Sequence, residues 1–254
     1  MPFRNNPKKF MSETTFDDVL FGSVRMIQPL TGPRVNMDTV LLSAWVKVRS
    51  GTHEILEAGC ASGAVSLILA QRYGNIHVTG VDIQPELVRI AEINAENNNL
   101  SGRVKFIAGD FRVKSLLPSG KFDALVINPP YSSVMAGRES PDESRTSARL
   151  EVSCAPDDVG ELARRVLKSR GRLFAVFASL RLDGFLSAMR NHRIIPKRLR
   201  PVYPDINHNS GIFLLECVKD GGEGLSLLPP LYVRDGSGNY TSEILKAYQP
   251  DGNI

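Results

Sequence analysis

Along the middle of the chain, short apolar runs alternate with longer stretches whose apolar residues recur every three to four positions. The runs HEILEAG (53–59), HVTGVD (77–82), VKFIAGD (104–110) and FDALVIN (122–128) are too short and too continuously apolar to be amphipathic helices, and they read as buried strands. Between them, AVSLILAQRYG (64–74) and PELVRIAEINAENNN (85–99) have helical periodicity, the second with proline in its first turn. A helix over DDVGELARRVLKSRG (157–171), closed by its glycine, and a fifth strand RLFAVFA (172–178) complete the alternation. Strand, helix, strand in repetition predicts an α/β fold, a parallel sheet covered by helices on both faces. The tail breaks the rule. DGFLSAMRN (183–191) is a short helix, and IPKRLRPVYP (195–204) and GIFLLECVKD (211–220), joined by DINHNSG, form an antiparallel hairpin. The expected sheet therefore has seven strands, mostly parallel, with an antiparallel strand near its C-terminal edge. Ahead of it, NMDTVLLSAWVKV (36–48) is a further helix.

Two segments stand outside this pattern. Residues 1–15 are mostly polar and are expected to be flexible. Residues 132–156 are too long for an ordinary connection and, following the fourth strand directly, suit a lid over a site. The rest of the 254 residues is expected to form one domain. With 42% hydrophobic and 23% charged residues and no apolar window near the ~20 residues of a membrane span, the composition is that of a cytoplasmic globular protein. Cys60, Cys154 and Cys217 lie far apart, and the four histidines are as scattered, which argues against disulfides and against a metal site. The net charge of +4 is unevenly distributed. Residues 160–200 hold eleven Lys or Arg against Glu161 and Asp183, which makes that segment +9 and the remainder −5. A polyanionic partner would account for it, as would solvated helix faces.

Candidate chemistry begins at EAGCASG, where Glu57, Gly59, Ala61 and Gly63 fall at the turn from first strand to first helix. In an open α/β sheet ligands sit beyond the carboxyl ends of the strands, and glycines at this turn let a ligand approach the backbone. Asp82, ending the second strand, is placed to bind the two hydroxyls of a ribose. A dinucleotide would require the G-x-G-x-x-G spacing that GCASG lacks, whereas S-adenosylmethionine has no phosphate to seat. Asp110 can meet its adenine amine, with Phe111 or Ile83 packed on the ring. S-adenosylmethionine is therefore the expected cofactor.

The run E-x-G-x-x-x-G, an acid after the second strand, GD after the third and Asn128-Pro129-Pro130-Tyr131 after the fourth together resemble the class I S-adenosylmethionine-dependent methyltransferases, whose sheet is Rossmann-like. Ala61 stands where that family has a glycine, a substitution the backbone tolerates if its φ is negative. The N-P-P-Y motif has a chemical rationale. An amino or amide nitrogen on a conjugated group is a poor nucleophile. If the Asn128 side-chain oxygen and the Pro129 carbonyl accept its two N–H groups, its lone pair is aimed at the methyl carbon. The prolines stiffen the turn and remove competing N–H groups, and Tyr131 offers a face on which a flipped base can stack.

Outside this core, RVNMDTVLLSAWV, the SRTSARLE segment with Arg145 and Arg149, RPVYP and GNYTSEILKAYQP resemble the bacterial YfiC-like (TrmN) family, which methylates N6 of the adenine beside the anticodon of a valine tRNA. The resemblance implies that Asp38 lies near the cofactor's amino-acid end and that Arg149 is the family's arginine after the motif, although Leu150 replaces the histidine next to it. It also implies a tRNA partner whose adenine is flipped into the site. If the strand from Ile194 to Tyr203 runs parallel to the others, it carries Arg198, Arg200 and Tyr203 to the opening as tRNA contacts. Arg164, Arg165, Lys168 and Arg170 then fall at the opposite edge. Two other readings use the same residues: glutamine N5-methylation of a protein such as a release factor, and a catalytically inactive RNA scaffold that still binds cofactor.

Overall fold

A computed structural model describes residues 13–129 and 154–254. Five parallel strands form the body of its sheet: β3 (Glu54–Ala58), β4 (His77–Asp82), β5 (Val104–Ala108), β6 (Phe122–Ile127) and β7 (Leu167–Ala178). The order across it is β5-β4-β3-β6-β7, continued by β9 (Ile212–Lys219) and then β8 (Ile194–Tyr203). β9 runs antiparallel to both β7 and β8, so β8 points the same way as the five. This is the expected seven-stranded sheet, extended on the outer edge of β8 by two-residue strands β10 (Ser226–Leu227) and β11 (Leu231–Tyr232).

The strands are apolar on both faces because both are covered. Ile55, Ala124, Val126, Phe174 and Val176 face one cluster with the helices α1 (Met37–Trp45) and α2 (Ala64–Arg72). Their sequence neighbours Leu56, Leu125, Ile127, Leu173 and Ala175 face a second cluster with α4 (Pro156–Val166) and α5 (Leu182–Asn191). The period of two along each strand thus sorts its residues between two cores. A further helix, α3 (Pro85–Asn97), links β4 to β5.

Three expectations change. Of residues 1–15, expected to be flexible, Thr14 and Thr15 belong to β1 (Thr14–Val19), paired antiparallel with β2 (Val24–Pro29). This hairpin is fastened to α3 by side-chain amides: Asn94 accepts from Ile27 N and donates to Ile27 O, and Asn98 does the same with Arg25. The predicted helix to Gly171 ends instead at Val166. Its inward stripe, Val159, Leu162, Ala163 and Val166, stops there, Leu167 is extended, and Arg170 adopts φ 64°, so Gly171 lies in an irregular stretch of β7. Finally the expected lid, 132–156, which holds Arg145, Arg149 and Leu150, lies outside the described residues save for its last three positions, of which Pro156 already belongs to α4; Pro130 and Tyr131 of the motif before it lie outside them too.

Candidate active site

Three of the predicted motifs leave the sheet side by side. Ala58 of β3 is in register with Ile127 of β6 on one side and Val81 of β4 on the other. One residue further on, the chain therefore brings Gly59, Asn128 and Asp82 to adjacent positions along the carboxyl edge. The corner between β3 and α2 is built by hydrogen bonds across that row: Gly59 N and Cys60 N both donate to Val81 O, at 2.8 and 3.0 Å. Gly59 has φ 72°, and no described residue lies within 4 Å of where a side chain would begin, so among the described residues its face is open to a ligand. Gly63, at φ 88°, is required for a different reason, because a methyl group there would sit 2.7 Å from the Phe106 ring.

Ala61 does not meet the condition of a negative φ under which the backbone would tolerate alanine there. Its φ is 45°, in the left-handed region, held there by the bond from Ala61 N to Asp82 Oδ2 at 2.8 Å. The glycine corner and the acid after the second strand are thus one unit. Gln84 N binds the other oxygen of Asp82 at 2.9 Å, and burial raises the acid's pKa while these N–H groups oppose the rise. Ile83 beside it is 43% exposed, an apolar surface next to the carboxylate. Asp110 is gripped by the Nε and Nη2 of Arg112, which lowers its pKa and keeps it an ionised acceptor, and Phe111 is half-buried next to it.

Glu57 is buried beneath the corner, where its carboxylate accepts from Ser66 N and Ser66 Oγ. Burial pushes its pKa up to about 8; the Ser66 bonds resist and the charge of Asp82 adds to it. Asp38 sits in the first turn of α1, where the helix dipole favours an acid. The start of that helix is braced in a way the sequence did not disclose. Arg34 binds Pro29 O and Asp17, Gln28 binds Asp17 and Val35 N, and Asn36 caps the helix through Thr39 N. Ser66 and Arg112 were also missed, although Arg112, two residues from Asp110, was within reach of a local reading. Asn128 is half-exposed and Pro129 buried as the chain leaves β6.

Residues 50–192 match the family described as methyltransferase domain. The chain belongs to that family. Among curated relatives, the tRNA1(Val) (adenine(37)-N6)-methyltransferase of Porphyromonas gingivalis is 28% identical over 226 residues, 85% of this chain and 88% of its own length. Its namesake in Aliivibrio salmonicida is 27% identical, covering 80% and 81%. Of solved structures, a predicted O-methyltransferase from Agrobacterium tumefaciens superimposes with a TM-score of 0.70 at 19% identity, over 85% of this chain and 98% of its own. A geranyl diphosphate C-methyltransferase from Streptomyces coelicolor, in complex with S-adenosyl-L-homocysteine, gives 0.51 at 13% identity, over 66% and 73%. At these identities the two structures establish the fold alone.

On the substrate side of this methyltransferase domain, β8 is parallel to β6 and β7 as anticipated, but its arginines do not reach the opening. Arg198 lies over the Trp45 ring, 4.3 Å from its centroid, and pairs with Glu216, which is 1% exposed and also holds Arg172. Arg200 is 8% exposed, with Nε on Pro229 O and both terminal nitrogens on Glu243. Both are spent inside the fold, because β8 is covered on that face. Tyr203 does stand at the strand end, its ring 5.6 Å from that of Tyr232. At the other edge Arg164 pairs with Asp220, Lys168 with Asp123, and Arg165 binds the carbonyls of Phe111, Lys114 and Leu117. These cations are structural rather than merely solvated.

Proposed function

We propose that this methyltransferase transfers a methyl group from S-adenosylmethionine to N6 of an adenine in tRNA, adenine 37 of a valine tRNA as in its named relatives. The observation that supports the reading is the register of β3 against β6, which carries Asn128 alongside Gly59, where no described residue fills the side-chain position. The residues present suit that cofactor. Asp82 offers a buried carboxylate to a ribose, Ile83 and Phe111 offer apolar faces to an adenine, Asp110 offers an acceptor to its amine, and Asp38 is assigned the amino-acid end.

When bound, S-adenosylmethionine supplies an electrophilic methyl group on a sulfonium. The chain's own part is to make the nitrogen attack it. The Asn128 side-chain oxygen and the Pro129 carbonyl take the two N–H groups of the target amine, which draws the nitrogen out of conjugation and turns its lone pair toward the methyl. After transfer the nitrogen has one proton too many, and it leaves to water. Pro129, with no N–H, cannot compete for the acceptors. We assign Tyr131 to stacking on the flipped base, Arg145, Arg149 and Tyr203 to the RNA, and Pro130 to stiffening the turn.

Incubation with labelled S-adenosylmethionine and unmodified valine tRNA should place label in N6-methyladenine. Asn128→Ala should lower kcat by roughly 100-fold or more, the scale of losing one preorganised partner of the reacting group. Label in a glutamine of a release factor, or an Asn128→Ala enzyme as fast as wild type, would overturn the assignment.

A further inference from the structure

The carboxyl end of β8 supports a small aromatic structure that the reaction above does not use. Val233 N and Arg234 N donate to Tyr203 O and Pro204 O at 2.8 and 2.9 Å, so the chain after β11 rises past the end of the sheet. It then turns back through RDGSGNY, residues 234–240. Asp235 N bonds Asn239 O, and the Asp235 carboxylate is taken up by Ser237 N and Asn239 N. Arg234 and Tyr240 face each other as an antiparallel bridge. The returning chain is tied down by Thr241, whose N donates to Val233 O and whose hydroxyl donates to Tyr232 O.

On this braced turn the Arg234 guanidinium lies over the Tyr240 ring, 4.6 Å from its centroid, and donates to Gly238 O. Both residues are exposed, Tyr240 by 44%. Because β8 is parallel to β6, this pair and Asn128 are at the same end of the sheet. The helix that follows it, Ser242–Ala247, packs against α1.

An exposed ring and a cation held against each other by a tied turn add nothing to a core. They do suit a flat, uncharged π system flanked by phosphate. A guanidinium plane is weakly hydrated and stacks on bases, and the turn has already met the ordering cost. We propose that the Arg234–Tyr240 pair stacks an unpaired nucleobase of the RNA substrate beside the target adenine. This rests on the tRNA reading above.

The test compares Tyr240→Leu, Arg234→Gln and Tyr240→Phe with wild type in binding and methylation of unmodified valine tRNA. Tyr240→Leu should weaken tRNA binding roughly 10-fold or more and raise KM for tRNA with kcat nearly unchanged, since one base–aromatic stack is removed. Arg234→Gln should lie in the same direction and Tyr240→Phe close to wild type. Cofactor affinity and melting temperature should hold in all three. The inference fails if Tyr240→Leu binds tRNA as wild type does, or if Tyr240→Phe loses as much as Tyr240→Leu, which would mean a role for the hydroxyl. If wild type neither binds nor methylates tRNA, the functional reading itself has failed, and that is visible before any variant is made.

Discussion

At Ala61 the backbone is held in a conformation that its own side chain opposes. An L-residue with φ near 45° carries a cost of about 1 kcal/mol or more that glycine would not, and the Ala61 N–H on Asp82 maintains it. Ala61→Gly should therefore raise unfolding free energy by about 1 kcal/mol in urea titration; a loss of stability would show that the methyl is packed to advantage. Glu57 carries a larger penalty. Its carboxyl is held up to about 8 against an ordinary 4.5, so between those values the folded chain keeps a proton that the unfolded chain has released. Stability is then full below about pH 4.5, falls as pH rises through that window, and levels off above 8. Glu57→Gln has no proton to lose, so its stability relative to wild type should improve between pH 5 and pH 8.5, on the order of 3 kcal/mol. An offset independent of pH would refute this. Glu57 was legible as part of a motif. Its protonation was not, because that depends on burial and on Ser66 nine residues away.

Among the elements, the sheet was legible and its attachments were not. Short continuous apolar runs and glycine-closed helices reveal β3 to β6 because they are local patterns, and the β8–β9 hairpin followed from two apolar runs separated by turn residues. The end of α4 was misplaced because Arg and Lys after Val166 are as compatible with a helix as with an exposed strand; only pairing with β6 decided. The β1–β2 hairpin escaped although Val24, Met26 and Gln28 alternate, since its second partner is a pair of asparagines on α3. Asn94 is fully buried and makes bonds to Ile27 N, Ile27 O and Ser62 O. Asn94→Ala should lower stability by about 2–3 kcal/mol and speed hydrogen exchange at the Ile27 amide. Unchanged exchange there would mean that the hairpin is held by its apolar face alone.

For the whole molecule, the excess positive charge between residues 160 and 200 is largely engaged within the chain. Among the described residues alone, nine of its eleven cations find carboxylates or carbonyls of other segments, Asp220, Asp123, Glu216 and Glu243 among them. Charge asymmetry in a sequence is therefore a weak guide here to an RNA-binding face. Lys168→Gln with Arg170→Gln should leave tRNA affinity within about 2-fold and its salt dependence unaltered, whereas neutralising a cation that truly pairs with a phosphate would flatten the slope by about 0.7–0.9. A flattened slope would put the RNA on that edge after all. What the sequence by itself determined was the order of elements from α1 to β9 and the arrival of Gly59, Asp82, Asp110 and Asn128 at strand ends, because periodicity and turn chemistry act over a few residues. The left-handed Ala61, the pairing of Arg198 with Glu216, the burial of Arg200 and the Arg234–Tyr240 turn on the end of β8 were decided only by tertiary structure. Each depends on a packed neighbour or a long-range partner, and such proximity exists only once the chain is folded.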